Sequence, residues 1–180
     1  MMEERFKLKE ARPLWQKAME IRELVANILA AAPEPQEEEQ EATSGRSRDK
    51  AEFMREGLKQ QIDDMHMNAL MIPAKIAGAE GGDIYDLRME NAALIRKAAR
   101  ELVVGLRGLE MFGFDEPRYF DLLREEMEEF RKLFVAWVAA FDKKRFITDD
   151  WGLFNPPGIN PGDDIIGDLG HDEDETDDPF

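Results

Sequence analysis

One uninterrupted apolar stripe in the second half of the chain most constrains the fold. Its members alternate spacings of three and four residues: Phe120, Leu123, Met127, Phe130, Phe134, Trp137 and Phe141. This spacing places every member on one face of an α-helix. Asp115 is the expected N-cap of this helix, and Pro117 suits its first turn. A helix with such a face must bury it against other helices, so the stripe predicts a helical core.

Three earlier segments show the same period. Helix 1 is predicted from Pro13 to the prolines after Ala32, with the stripe Leu14, Ala18, Ile21, Val25, Ile28 and Ala32. Helix 2 is predicted from the N-cap Ser47, with the stripe Met54, Leu58, Ile62, Met65, Ala69, Ile72 and Ile76. Helix 3 is predicted from the cap Asp83, with the stripe Leu87, Leu94, Ala98, Leu102, Leu106 and Leu109. Pro73 predicts a kink or break in helix 2. Gly105 and Gly108 favour a close approach between helices.

Strand-period alternation is missing, so the chain is predicted to be all-α. Mostly short connections between four helices indicate an antiparallel up-and-down four-helix bundle over residues 1–148. An acidic loop is expected at residues 33–45, and a disordered acidic tail at residues 149–180. The net charge of −16 is concentrated there, because the loop holds five acids and the tail eleven, and neither holds a Lys or Arg. Trp151, Leu153 and Phe154 are the candidates in the tail to fold back on the bundle.

Composition excludes several classes of site. The chain has no cysteine, which rules out disulfides and thiolate metal sites. Its apolar runs are too short to span a membrane, so we expect a cytoplasmic protein without membrane contact. No glycine-rich phosphate loop follows a strand, and no serine stands where a Ser-His-Asp nucleophile would be credible. The sequence predicts no catalytic residue and no cofactor.

Four segments within residues 8–142 follow a recognisable pattern: "LWQKAMEIRELV", "LKQQI", "IPAKIAGAEG" and "LLREEMEEFRKLF". Through these segments the sequence resembles the four-helix bundle proteins of the 23S rRNA intervening-sequence family. The resemblance implies an up-and-down bundle that assembles into small rings, with relatives acting as non-enzymatic accessory proteins on nucleic-acid complexes. Those relatives are typically basic, whereas the bundle here is formally neutral. Its bases are interleaved with acids, which disfavours direct binding to RNA or DNA.

A di-metal carboxylate enzyme is an alternative hypothesis. Asp63 lies three residues before His66, a spacing that puts both side chains on one helix face as metal-binding bundles require. The full candidate set is Glu23, Asp63, His66, Glu90, Glu126 and Glu129. A second acid-histidine pair is missing, because the only other histidine is His171.

An all-α nucleotide pyrophosphohydrolase is the second alternative. Such enzymes hold magnesium with paired acids one helical turn apart, and "EEMEEF" offers Glu125, Glu126, Glu128 and Glu129. The second acidic pair that they require is absent here, where Asp142 stands alone.

The sequence "DDPF" is similar to the acidic tips of bacterial single-stranded DNA-binding proteins. Asp177, Asp178, Pro179 and Phe180 are therefore the predicted partner-binding residues. The Phe180 ring suits an apolar pocket beside a Lys or Arg, and the acids would steer it there. The aromatic residues of helix 4 and Trp15 also predict more apolar bulk than one bundle buries. We expect a homo-oligomeric, non-enzymatic interaction or scaffold protein whose tail docks a protein partner, with DNA replication or repair as a candidate setting.

Overall fold

The computed structural model of the protein describes residues 11–32, 45–114 and 116–169. These residues form four helices: α1 (Arg12–Ala31), α2 (Gly45–Glu80), α3 (Tyr85–Met111) and α4 (Pro117–Ala139). Each helix packs on its neighbour in the chain, α4 closes on α1, and the two diagonal pairs do not pack backbone to backbone. The predicted all-α four-helix bundle is confirmed. None of the described helices is long and apolar enough to cross a membrane.

Contacts between α2 and α3 show that the two helices are antiparallel. Early in α2, Gly57 faces Phe112 at the end of α3, whereas Gly78 late in α2 faces Asn91 near the start of α3. A methyl group added to Gly105 would lie 2.7 Å from the Cγ atom of Met65, closer than packed atoms come. Glycine is therefore required for this approach, as the sequence predicted for Gly105.

The core follows the predicted stripes with one shift of phase. The stripe residues of α1 from Leu14 to Ile28 and six of the seven in α4 are buried, with Phe134 half-buried. In α2, Met54 and Ile62 are only partly buried. The prediction for Leu87 is wrong, because 46% of its side chain is exposed. The first half of α3 instead buries Tyr85, Ala92 and Ile95. Its buried face is therefore rotated about the helix axis by about one residue from the predicted stripe.

Helix boundaries depart from prediction at several ends. α2 begins at Gly45, ahead of the predicted cap Ser47, and continues through Pro73 to Glu80, so the helix does not break at Pro73 and a kink there stays a prediction. Asp83 does not cap α3, because its carboxylate pairs with Arg88 and Arg145 instead. α4 ends at Ala139, yet Phe141 beyond it is still buried. The predicted cap Asp115 and residues 33–44 of the predicted acidic loop 33–45 lie outside the described residues, and Gly45 belongs to α2.

A glycine terminates α3. Gly113 has φ of 88°, the left-handed conformation that glycine adopts without a side-chain penalty. The amide of Gly113 donates to the Glu110 carbonyl at 3.0 Å, and the amide of Phe114 donates to the Leu109 carbonyl at 3.0 Å. These two hydrogen bonds define a Schellman motif, which satisfies carbonyls at the helix end and turns the chain toward α4.

The segment after α4 returns along itself and has a defined path as far as Leu169. Ile147 and Ile166 form an antiparallel bridge, and the amides of Gly167 and Asp168 donate to the carbonyls of Phe146 and Lys144, each at 2.9 Å. Trp151 is 93% exposed and does not pack on the bundle. The predicted tail covered residues 149–180, of which 170–180 lie outside the described part.

Candidate functional site

A groove lies between α3 and α4 on the described surface, and we call it the α3–α4 groove. Its floor is apolar and consists of Ala99, Val103 and Val104 from α3 with Met127, Phe130, Phe134 and Val135 from α4. The groove encloses about 610 Å³, a volume typical of ligand-binding clefts. α3 and α4 are the least closely packed of the four adjacent helix pairs, so the groove lies where the bundle is most open.

Apolar side chains in this groove remain in contact with solvent. Val104 is 65% exposed and Val135 is 55% exposed, although both belong to regular helices of a well-packed bundle. Phe134 is half-buried and stacks on Phe130, with ring centroids 6.1 Å apart. Burying such surface against a partner releases water and is favourable by roughly 25 cal/mol per Å². The groove therefore has the composition of a docking surface.

Four arginines flank the apolar floor. Arg124 and Arg131 on α4 already have partners, since Arg124 pairs with Asp121 at 3.0 Å and Arg131 pairs with Glu128 at 2.6 Å. The hydrogen bond from Arg131 is the main cause that lowers the pKa of Glu128. On α3, Arg96 and Arg100 are exposed and form no ion pair or hydrogen bond with any residue that the structure describes.

Arg96 and Arg100 are placed so that both can bind the same acidic ligand. They lie four residues apart and therefore one above the other on the same helix face. Two guanidinium groups at that spacing repel each other weakly and present a fork of donors that suits carboxylates. An apolar floor beside unpaired arginines fits a ligand that is both apolar and acidic.

The residues of the di-metal hypothesis do not come together. Glu126 binds Lys17 at 2.7 Å, and Glu129 binds Lys132 at 2.7 Å. Glu23 and His66 line one shallow depression between α1 and α2, while Asp63 and Glu90 are exposed. No group of three or more His, Asp or Glu side chains in the described ranges is arranged to hold a metal ion.

Three of the four acids of the pyrophosphohydrolase hypothesis are engaged with bases, and the fourth, Glu125, is exposed. Lys17 donates a hydrogen bond to Glu126, and this bond links α1 to α4. The same hydrogen bond is the main cause that raises the pKa of Lys17. Glu128 and Glu129 pair with Arg131 and Lys132 one turn later on the exposed face of α4. Ion pairs at this spacing are typical of a solvated helix face.

A polar cluster closes one end of the bundle. Arg88 pairs with Glu80 at 2.7 Å and with Asp83 at 2.9 Å, and its guanidinium lies 4.2 Å from the centroid of the Phe141 ring. The indole nitrogen of Trp137 donates to the same Glu80 carboxylate at 2.8 Å. These contacts tie α2, α3 and α4 together, so we assign the cluster a structural role.

The predicted partner-binding residues, Asp177, Asp178, Pro179 and Phe180, lie outside the described residues. Comparisons of this chain with protein-family models, with curated proteins and with solved structures found no match. Any functional conclusion therefore depends on the geometry and charge of the molecule itself.

Sequence reasoning missed the α3–α4 groove. A signal was present, because Val103 and Val104 widen the apolar surface of α3 beyond the stripe that includes Leu102 and Leu106. Two arginines that border this second apolar edge, with no acid three or four residues away on the side of the groove, would have marked it.

Proposed function

We propose that this protein is a non-enzymatic interaction protein. The observation that carries the proposal is the α3–α4 groove, an apolar surface flanked by four arginines, of which Arg96 and Arg100 have no partner in the described part of the chain. The candidate catalytic acids, by contrast, are dispersed or paired with bases. The proposal includes the cytoplasmic location predicted from the sequence.

Self-association of the bundle is the first part of the proposal, and the α3–α4 groove is the surface available for it. Exposed Val104 and Val135 supply the apolar area. Light scattering should give a mass that rises above that of one chain as concentration increases. Val104→Asp with Val135→Asp should abolish that rise, because each carboxylate would be desolvated in the interface.

The control for this experiment carries the same chemical change elsewhere. Phe53 and Met67 on α2 are 71% and 59% exposed and lie outside the groove. Phe53→Asp with Met67→Asp should leave the concentration dependence unchanged. A constant single-chain mass for the unsubstituted protein up to millimolar concentration would refute self-association.

Docking of the acidic segment 171–180 to another protein is the second part. Support comes from its residues, six acids with no Lys or Arg and an aromatic residue next to proline, and from its similarity to the acidic tips of single-stranded DNA-binding proteins. We therefore propose partners in DNA replication or repair that have an apolar pocket beside basic residues. A peptide of residues 171–180 should compete with a single-stranded DNA-binding protein tip for such a partner. Absence of competition at millimolar peptide would remove this part of the proposal.

A further inference from the structure

We infer that the α3–α4 groove is a binding site for an acidic peptide that contains phenylalanine, and that its occupant is the segment 171–180 of the same chain. The inference rests on the proposed function, because it names what regulates the proposed self-association surface. It follows from the chemistry of the groove, the composition of the segment and the position at which the described chain stops.

The chemistry of the two surfaces is complementary. The groove offers apolar area around Val104 and Phe134 beside Arg96 and Arg100, neither of which pairs with a described residue. The segment holds six acids without any base, and its one large apolar side chain is Phe180. Carboxylates on the arginines would form charge-assisted hydrogen bonds, and the phenylalanine ring would cover exposed floor.

The described chain stops within reach of the groove. The carbonyl of Leu169 accepts a hydrogen bond from Arg145 at 3.3 Å, and Arg145 pairs with Asp83, just before α3 begins. From Tyr85, the groove residues Arg96 and Val104 lie roughly 17 Å and 29 Å along α3, at about 1.5 Å per residue. The eleven residues from 170 to 180 span at most about 36 Å when extended. When extended, the segment is longer than either distance along the axis of α3, so the end of the floor beside Arg96 lies within reach of Phe180.

Tethering favours the chain's own segment over one from a second copy. A short flexible linker gives its end an effective concentration on the order of millimolar near a site that it can reach. At micromolar protein, a segment from another molecule is about a thousandfold more dilute. The segment therefore covers the groove of its own chain and competes with self-association there.

The first experiment locates the segment in the full chain. Because the chain has no cysteine, Thr176→Cys provides a single attachment point for a nitroxide. Methyl NMR signals of Ala99, Val103, Val104 and Val135 should broaden, whereas those of Val25 and Ile28 on α1, which does not pack on α3, should not. The nitroxide-labelled chain is then diluted into an excess of chain without nitroxide, and the signals of the labelled chain are observed. Their broadening should stay unchanged if the contact is intramolecular.

Charge reversal tests whether the two arginines hold the segment. Arg96→Glu with Arg100→Glu should abolish the broadening. The matched control is Arg55→Glu with Lys59→Glu, a basic pair with the same spacing on the exposed face of α2, away from the groove. The control should retain the broadening, and circular dichroism should show equal helicity in both variants. The inference is overturned if the groove signals broaden equally in the two variants, or if they do not broaden in the unsubstituted chain.

A third measurement separates this inference from the proposed function. If the segment occludes about nine-tenths of the grooves, Phe180→Ser should lower the concentration midpoint of self-association about a hundredfold, because the grooves of both copies must be free. An unchanged midpoint together with no broadening overturns the inference and leaves self-association standing. A midpoint that rises, with broadening lost on dilution, shows that a second copy supplies the segment and also overturns it. Broadening in a protein that never self-associates supports the inference and removes the proposed self-association.

Discussion

At the scale of single residues, Arg88 joins more partners than any other side chain at its end of the bundle. Its side chain is 13% exposed, and that of its partner Glu80 is 7% exposed, so the pair is largely removed from water. Replacing one member of such a pair leaves the other charge buried with fewer partners, and this costs more than the intact pair contributes.

Arg88→Ala should therefore destabilise the protein by about 3–5 kcal/mol, with loss of the contact to Phe141 included. Glu80→Gln in the same background should recover part of that loss, because it removes the orphaned charge. Urea unfolding followed by fluorescence would measure both. Arg107→Ala, at an exposed arginine of the same helix that has no ion pair within the described residues, is the control and should change stability by less than about 0.5 kcal/mol.

Asp149 organises the turn after α4 through its own carboxylate. The amides of Trp151, Leu153 and Phe154 donate to it at 3.0, 2.9 and 3.2 Å. The bond from Leu153 is the main cause that lowers the pKa of Asp149 below its usual value. Since the folded pKa is the lower one, the contribution of this group is complete above the unfolded pKa and is lost as pH falls through the folded value.

Asp149→Ala should expose those three amides to solvent at neutral pH. Hydrogen exchange read by NMR would show faster exchange at Trp151, Leu153 and Phe154, with the helices unaffected. Asp150→Ala, at the exposed neighbouring acid, is the matched control. The expectation fails if the three amides stay equally protected in both variants, or if acidification below the folded pKa leaves their protection intact after correction for intrinsic rates.

At the scale of elements, the Schellman motif at Gly113 fixes where α3 stops and α4 starts. A methyl group added to Gly113 would meet no atom within 4 Å, so substitution there tests backbone conformation without steric overlap. Gly82, in the turn between α2 and α3, has equally open surroundings and no positive φ.

Gly113→Ala should cost about 1–2 kcal/mol, since a left-handed conformation is unfavourable for alanine. Gly82→Ala should be neutral or slightly stabilising, because alanine reduces the freedom of the unfolded chain. Denaturant unfolding at equal m-values would compare the two variants. Equal stability of both would show that the left-handed turn is not a requirement for ending α3.

At the scale of the whole molecule, periodicity predicted the bundle but not its surfaces. The stripe of α4 from Phe120 to Trp137 became core because apolar burial dominates helix packing. Helix ends were less predictable, since Asp83 had a distant partner in Arg145 as well as a local one in Arg88, and both competed with capping. The groove depends on the unequal packing of the helix pairs, which is set by contacts between residues far apart in the sequence. The only signal in the sequence of α3 is the additional apolar pair Val103 and Val104.

The glycine contact between α2 and α3 has a consequence for evolution. Gly105 lets α3 lie against Met65, and α3 is closely packed on α2 but loosely packed on α4. The width of the α3–α4 groove therefore depends on the packing of α2 against α3, which lies outside the groove. Lineages that keep a binding function in this groove should keep a small residue at position 105 even if the groove residues drift. Lineages that lose the function can carry larger side chains in the groove.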